Sequence, residues 1–390
     1  MVLFSVTKEW IILAPAGVTA AGTAAAELSF YIAALRGRAG LGRSSPPIAD
    51  TGGPAPPDSA PVIILDAGHF LPGDSGGRRS GFTWRAGQDR IEIYGDSDRG
   101  LCNGVFDFLS NLGIRWPAPG MEELPDCADR GEYQLKTDRA HAPSEDAPGN
   151  RRRIVIDKET APKKRDALIR WAARNRVDAL VFSLGDRVFR RPRNGNGSLA
   201  LAERYAMIIE AGGWDLSLLV PRGYFFLHRD LFRMDSGKRI RRFNFCPSNP
   251  QTIALLKKEG KRRFGALLRL HPEVDTFHLW PDRGHETTWC SCPTCRAFSR
   301  SEQNRMALCA AADALTETSP SARLSFFEEA GGDSPESAAG TVLPRPNLFR
   351  LETLPRRGLT LHTHAGLSAC GGPYRRPGET PSAPAAPGGA

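Results

Sequence analysis

Short β-branched runs alternate with helical stretches along the first 130 residues. EWIIL (9–13) and PVIILDAG (61–68) read as strands, and AAAELSFYIAALRG (24–37) between them reads as a helix that ends on a glycine. GFTWRA (81–86) and RIEIYG (90–95) flank the turn-forming GQD and predict a hairpin. Asp98 is the expected cap of a following helix, with Leu101, Val105, Phe108, Leu109 and Leu112 on its buried face. One mixed sheet covered by two helices satisfies this pattern.

A polar, Pro-rich and charge-rich interval, 129–150, reads as a linker, and after it the rhythm changes. RRIVID (152–157), DALVFSLG (178–185), DLSLLV (215–220) and DTFHLW (275–280) are the expected strands. Between them run an amphipathic helix carrying Leu168, Trp171 and Ala172, a helix near 199–211, and a helix with Ile253, Leu256, Phe264 and Leu267 on one face. SEQNRMALCAAADAL (301–315) is helical, while ARLSFF (322–327) and NLFRLET (347–353) extend the strand series. Serial βα units predict a parallel sheet or barrel. A full eight-fold barrel needs about 250 residues, so the expectation is an incomplete one.

The expected fold class is therefore α/β. A small α+β domain (1–128) and the linker precede a partial TIM-type (β/α)8 barrel (151–356), and an irregular, partly disordered tail (357–390) follows.

Charge changes this picture little. The 390 residues hold 52 Lys and Arg against 43 Asp and Glu, a formal charge of +9. The clusters RRR (151–153), RRPR (190–193) and KRIRR (238–242) are scattered between apolar segments and read as solvated loops, so no nucleic-acid partner is expected. No apolar run approaches about 18 residues, so no membrane span is expected. The start lacks a basic leader and reads as a strand, and eight unevenly placed cysteines do not resemble a secreted disulfide framework. A cytoplasmic location follows as the expectation; oligomeric state is left open.

In βα architectures the working side chains sit beyond the C-terminal ends of strands. That rule selects SLGDRV (183–188), VPRGYFFLHRD (220–230) and HLWPDRGHE (278–286). The last holds His278, Trp280, Asp282, His285 and Glu286, the densest set of reactive and aromatic side chains in the chain. Glycoside hydrolysis uses two carboxyl groups and aromatic platforms, so Asp282 and Glu286 are the catalytic candidates and Trp280 the sugar platform. His278, Trp214 and Asp186 are candidate substrate contacts, although a lone strand histidine equally suits a satisfied core position and both tryptophans equally suit packing.

Cys290, Cys292 and Cys295 form a C-x-C-x-x-C array that can surround one tetrahedral ion, with Cys246 of NFCPSNP (244–250) as the fourth ligand. A structural zinc, a disulfide and free thiols all remain open at this level, and no cofactor is expected for catalysis. No G-x-G-x-x-G opens a helix after a strand, and neither a G-x-x-x-x-G-K-[ST] loop nor a G-x-S-x-G elbow occurs.

Several segments carry a family resemblance. IEIYGDSDRGLCNGVFDFLSNLGIRWPAPG (91–120) resembles the small domain that precedes the barrel of α-glucuronidases and β-hexosaminidases. LIRWAARNRVDALVF, GKRIRRFNFCPSNP, LWPDRGHETTWCSCPTC and PRPNLFRLETLPRR together resemble a bacterial family of unknown function, number 4838, over residues 7 to 375. The resemblance implies a glycosidase-like barrel and carbohydrate processing. FHLWPD also resembles the H-x-G-G-D-E strand of hexosaminidases, which implies that Asp282 takes the place of the aspartate that orients the acetamido group. Arg283 stands where the acid glutamate would follow, and Trp214 where a histidine is expected after Gly-Gly. An arginine cannot donate a proton at neutral pH; either Glu286 substitutes or that mechanism does not transfer. The leading expectation is a glycoside hydrolase-like protein for an acidic or N-acetylated sugar. The alternatives are a non-catalytic carbohydrate binder or inactive relic and, third, a zinc-dependent nucleic-acid binder.

Overall fold

The computed structural model describes residues 2–57, 59–68, 81–126, 131–135, 139–141, 152–157, 159–192, 197–282 and 289–326, with two short strands at 348–350 and 361–362. The N-terminal part comprises β1 (Val2–Ser5), β2 (Ile11–Ala14), α1 (Thr19–Arg38), β3 (Ile48–Asp50), β4 (Val62–Ala67), β5 (Phe82–Ala86), β6 (Arg90–Gly95), α2 (Asp98–Asn111), β7 (Glu132–Leu135) and β8 (Arg139–His141). Six of its strands form one mixed sheet in the order β3-β2-β4-β6-β5-β8, and β1 pairs separately with β7. Helices α1 and α2 lie against each other and against this sheet. The predicted hairpin is present, with Trp84 opposite Ile93. Ser97, not Asp98, caps α2: its side chain accepts from the Gly100 N–H, and Asp98 occupies the first turn, where a carboxylate favours the helix dipole.

The interval expected as a linker contributes β7 and β8 to the two N-terminal sheets. Its alternation in EYQL buries Tyr133 and Leu135 and exposes Glu132 and Gln134, a strand pattern inside a polar sequence.

The second part comprises β9 (Arg153–Ile156), α3 (Pro162–Arg174), β10 (Ala179–Phe182), α4 (Gly197–Arg204), β11 (Ile208–Gly213), β12 (Met234–Asp235), β13 (Lys238–Arg239), α5 (Pro250–Leu270), β14 (Thr276–Leu279), α6 (Arg300–Thr318), β15 (Arg323–Phe326), β16 (Leu348–Arg350) and β17 (Leu361–His362). Strands β9, β10, β11, β14, β15 and β16 are parallel neighbours in chain order, and β17 adds antiparallel to β9. Because the winding never reverses, the C-terminal ends of all six parallel strands share one rim. Among the described residues the sheet is open, with β16 and β17 at its edges, so ring closure is not formed by them. Strand β17 falls within the segment expected as an irregular tail.

Strand alternation divides the sheet's side chains. Ile154, Ile156, Leu180, Phe182, Ile209, Phe277 and Leu324 are buried on the helix-covered face, as in the edge contact of Phe277 with Phe264 of α5 at 5.2 Å. Arg153, Glu210, His278 and Ser325 occupy the opposite face.

One expected element is corrected. DLSLLV is not the third strand; Leu216–Leu219 is a 3-10 turn, and the strand is β11, inside the stretch expected as helix. The helix ends early at Arg204, and Ala206 at φ 50° reverses the chain into β11. Every residue of IIEAGG is buried, so Glu210, a helix-forming residue in isolation, is held in a central strand by buried charge partners.

The two parts share a continuous core. Buried Arg99 of α2 donates to the carbonyls of Ala173 (3.1 Å) at the end of α3, Val177 (2.9 Å) before β10 and Tyr205 (3.1 Å) before β11. Trp171 Nε1 donates to Trp116 O at 2.9 Å, and Arg174 pairs with Glu27 at 3.1 Å. No helix among the described residues is long and apolar enough to cross a membrane. Hydrogen bonds to a charged group contribute about 1.5–3 kcal/mol each. Arg99→Leu should therefore lower the urea-unfolding free energy by about 2–4 kcal/mol, since three carbonyls lose a charged donor; a loss under about 0.5 kcal/mol would contradict this coupling.

Candidate functional site

Beneath the rim lies a fully buried polar chain. Arg153 grips Glu210 through two contacts, Nε to Oε2 at 2.6 Å and Nη2 to Oε1 at 3.1 Å. His278 Nε2 meets Glu210 Oε2 at 2.7 Å, and its Nδ1 meets the Ser325 hydroxyl. Four strands, β9, β11, β14 and β15, are thus cross-linked through side chains that water does not reach. Burial pushes the Glu210 carboxyl up, but the Arg153 charge and the His278 hydrogen bond outweigh it and hold it well below the usual carboxylate range. Burial also lowers His278, against the pull of Glu210. A neutral imidazole fits the geometry: Nε2–H donates to the carboxylate, and Nδ1 accepts from Ser325.

Trp280 covers this chain and is itself fully buried. It meets His278 edge-on at 5.4 Å and Trp214 at 5.0 Å. Its backbone N–H donates to Gly213 O at 2.8 Å, and its carbonyl accepts from Leu216 N at 3.2 Å. So close an approach of β11 to β14 requires glycine. Gly212 and Gly213 adopt φ +116° and +123°, and a Cβ on Gly212 would lie 1.9 Å from His278 O.

Asp282 stands at the rim, two residues beyond Trp280. Its N–H donates to Asn244 Oδ1 at 2.9 Å, and its carboxylate accepts from Arg222 Nη2 at 3.3 Å. The same Arg222 nitrogen reaches Phe243 O. Arg222 Nη1 and Asn244 Nδ2 are buried N–H donors without a hydrogen-bond acceptor among the described residues. Asp215 ties the neighbouring loop down, accepting from Ser183 Oγ at 3.0 Å and Leu184 N at 2.6 Å.

Of the residues singled out from sequence, Trp214, His278, Trp280 and Asp282 converge here. Glu286 and His285 lie outside the described residues. Asp186 lies apart, after β10, where it caps the turn Arg187–Arg190 and receives Arg165 through two contacts of 3.2 and 3.1 Å. Cys246, Cys290, Cys292 and Cys295 gather with their sulfurs within 4.8 Å of one another. Arg153, Glu210, Arg222 and Asn244 were not anticipated. A basic residue opening RIVI and an acidic one inside MIIEAGG are the available signals for the first two: opposite charges in neighbouring apolar strands need each other. Arg222 and Asn244 sit in irregular segments and leave no such mark.

No family model matches the chain, and no curated protein matches it. Among solved structures, the N-acetyl-β-hexosaminidase of Streptomyces plicatus superposes with a TM-score of 0.49 at 14% identity, over 84% of this chain and 62% of that one. The family 20 exo-β-N-acetylglucosaminidase of Vibrio harveyi gives 0.48 at 14% identity, over 89% and 54%. The β-N-acetylhexosaminidase of Bacteroides fragilis gives 0.44 at 15%, over 88% and 65%. The chain thus spans between about half and two thirds of the length of these enzymes.

Removing one member of a buried ion pair costs about 3–5 kcal/mol, and Glu210→Gln should destabilise the chain by that amount in urea unfolding, because it strands the Arg153 charge. Both Glu210 and His278 have folded values below their unfolded ones, so the unfolded chain binds more protons and stability rises with pH. The His278 contribution is complete above about pH 6.5 and is lost as pH falls below it, and that of Glu210 is lost below about pH 4.3. The urea midpoint should fall as pH drops from about 6.5 to 5, and a flat profile for the wild type alongside an unchanged His278→Asn variant would contradict the buried neutral imidazole.

Proposed function

We propose that the chain is a glycoside hydrolase-like protein built on a TIM-type barrel plan, and that its rim receives an N-acetylated or acidic sugar. One observation carries the reading: the Asp282 carboxylate, two residues beyond Trp280 of a tryptophan pair, lies beside two buried N–H donors that have no acceptor among the described residues. An acetamido group offers one N–H and one carbonyl oxygen. Asp282 would accept the first, while Asn244 Nδ2 or Arg222 Nη1 would donate to the second, relieving donors that are costly to leave unmade. A sugar carboxylate would satisfy both donors through Arg222, whose fork suits it. Trp214 supplies the aromatic face for a ring. Asp282, paired with Arg222, acts as an acceptor, so protonation of the leaving group is assigned to Glu286.

A second reading, carbohydrate binding without hydrolysis, is favoured by Arg283 at the place the resemblance gives to an acid glutamate. Aryl N-acetyl-β-glucosaminide and aryl β-glucuronide assays, with calorimetric titration of the free sugars, separate the two. If the first reading holds, wild type turns over one substrate, Glu286→Gln lowers kcat by about 10²-fold or more, and Asp282→Asn weakens kcat/KM by about 10-fold or more. Sugar binding that depends on Asp282 without turnover selects the second. Neither binding nor turnover removes both.

A further inference from the structure

We propose that Cys246, Cys290, Cys292 and Cys295 form a structural tetrathiolate zinc site that clamps the segment after β13 to the segment after β14. A disulfide requires sulfurs about 2.05 Å apart, and all four thiols are free and buried. The spacing instead matches a tetrahedron. A zinc–sulfur bond of about 2.3 Å sets a tetrahedral edge of about 3.8 Å; Cys246 Sγ lies 3.8 Å from Cys292 Sγ and 3.7 Å from Cys295 Sγ.

Donors around the sulfurs point to thiolates rather than to inert packing. Met234 N–H is directed at Cys290 Sγ at 3.2 Å and Cys295 N–H at Cys292 Sγ at 3.4 Å, and the Arg239 guanidinium stands 3.9 Å from Cys290 Sγ. The Ser248 hydroxyl lies 3.0 Å from Cys295 Sγ. A zinc tetrathiolate is doubly anionic, and such N–H and cationic partners offset that charge and hold the ligands in place.

The frame is built from two directions. The β12–β13 turn brings Met234, whose carbonyl accepts from both Ser291 N and Ser291 Oγ at 2.8 Å. Gln303 of α6 accepts from Cys290 N at 3.1 Å and donates to the carbonyls of Cys290 and Cys295, each at 3.2 Å. Four cysteines complete the coordination and leave no position for substrate, which makes the site structural. Its mechanical effect reaches the rim: Asn244, two residues before Cys246, holds the Asp282 N–H. The metal assignment stands whether or not the rim binds sugar.

The test uses the full chain, purified in reductant without added metal. Elemental analysis should find about one zinc per chain, retained in Cys102→Ser and Cys309→Ser and lost or strongly weakened in Cys292→Ser. Should Cys292→Ser fail to fold, the wild type decides alone: chelator-stripped protein titrated with Co(II) should show the intense visible bands and thiolate charge-transfer absorption of a tetrahedral tetrathiolate, displaced by Zn(II). Fewer than about one zinc per ten chains with a weak octahedral Co(II) spectrum would overturn the proposal. So would a disulfide among these cysteines in non-reducing peptide mapping, or iron in place of zinc.

Discussion

Arg153 and Glu210 face each other on the inner side of a parallel sheet where neither side chain touches water. A buried charge is tolerable only when it is paired and its remaining hydrogen-bonding capacity is met. That requirement couples strands distant in sequence. Glu210 can lie in a central strand because Arg153 enters from β9 and His278 from β14, and His278 is oriented because Ser325 meets its other nitrogen from β15. A slip of one residue in any of these strands would turn its polar side chain into the apolar layer under the helices. The chain of charges thereby sets the register on which the rim depends.

Above it the architecture becomes progressively more open. Trp280 closes the polar chain, and the glycine pair at the end of β11 lets the two strand ends approach closely enough to carry the Trp214–Trp280 contact. Asp282 comes next, held by its own backbone N–H as well as by its carboxylate. Its partners lie on the long connection between β11 and α5, which has little regular structure of its own. Such a connection needs anchoring if it is to position side chains. The isolated Phe232 to Phe245 bridge and the cysteine cluster supply that anchoring at Phe245 and Cys246, immediately after Asn244.

The N-terminal part serves the same end. Arg99 seals three carbonyls, at the end of α3 and just before β10 and β11, and the Trp116 carbonyl accepts the Trp171 indole N–H, so α3 is tied to the N-terminal part.

Sequence periodicity determined most of the elements by itself, because strand alternation and helical spacing are local consequences of which residues avoid water. β4, β5, β6, β9, β10, β14, α1, α3, α5 and α6 are all legible in that way, as is the strand-end rule that drew attention to Asp282 and the spacing that drew attention to the cysteines. β11 was not legible: an acidic residue among alanines and glycines resembles a helix until Arg153 and His278 are brought alongside it. Nor could spacing alone bring Cys246 to the other three sulfurs across forty-four residues of chain or more, or give Asp282 its partners Arg222 and Asn244. Those juxtapositions arise only when the sheet stacks its strands, since contacts between segments far apart in sequence are decided by burial and charge pairing in three dimensions.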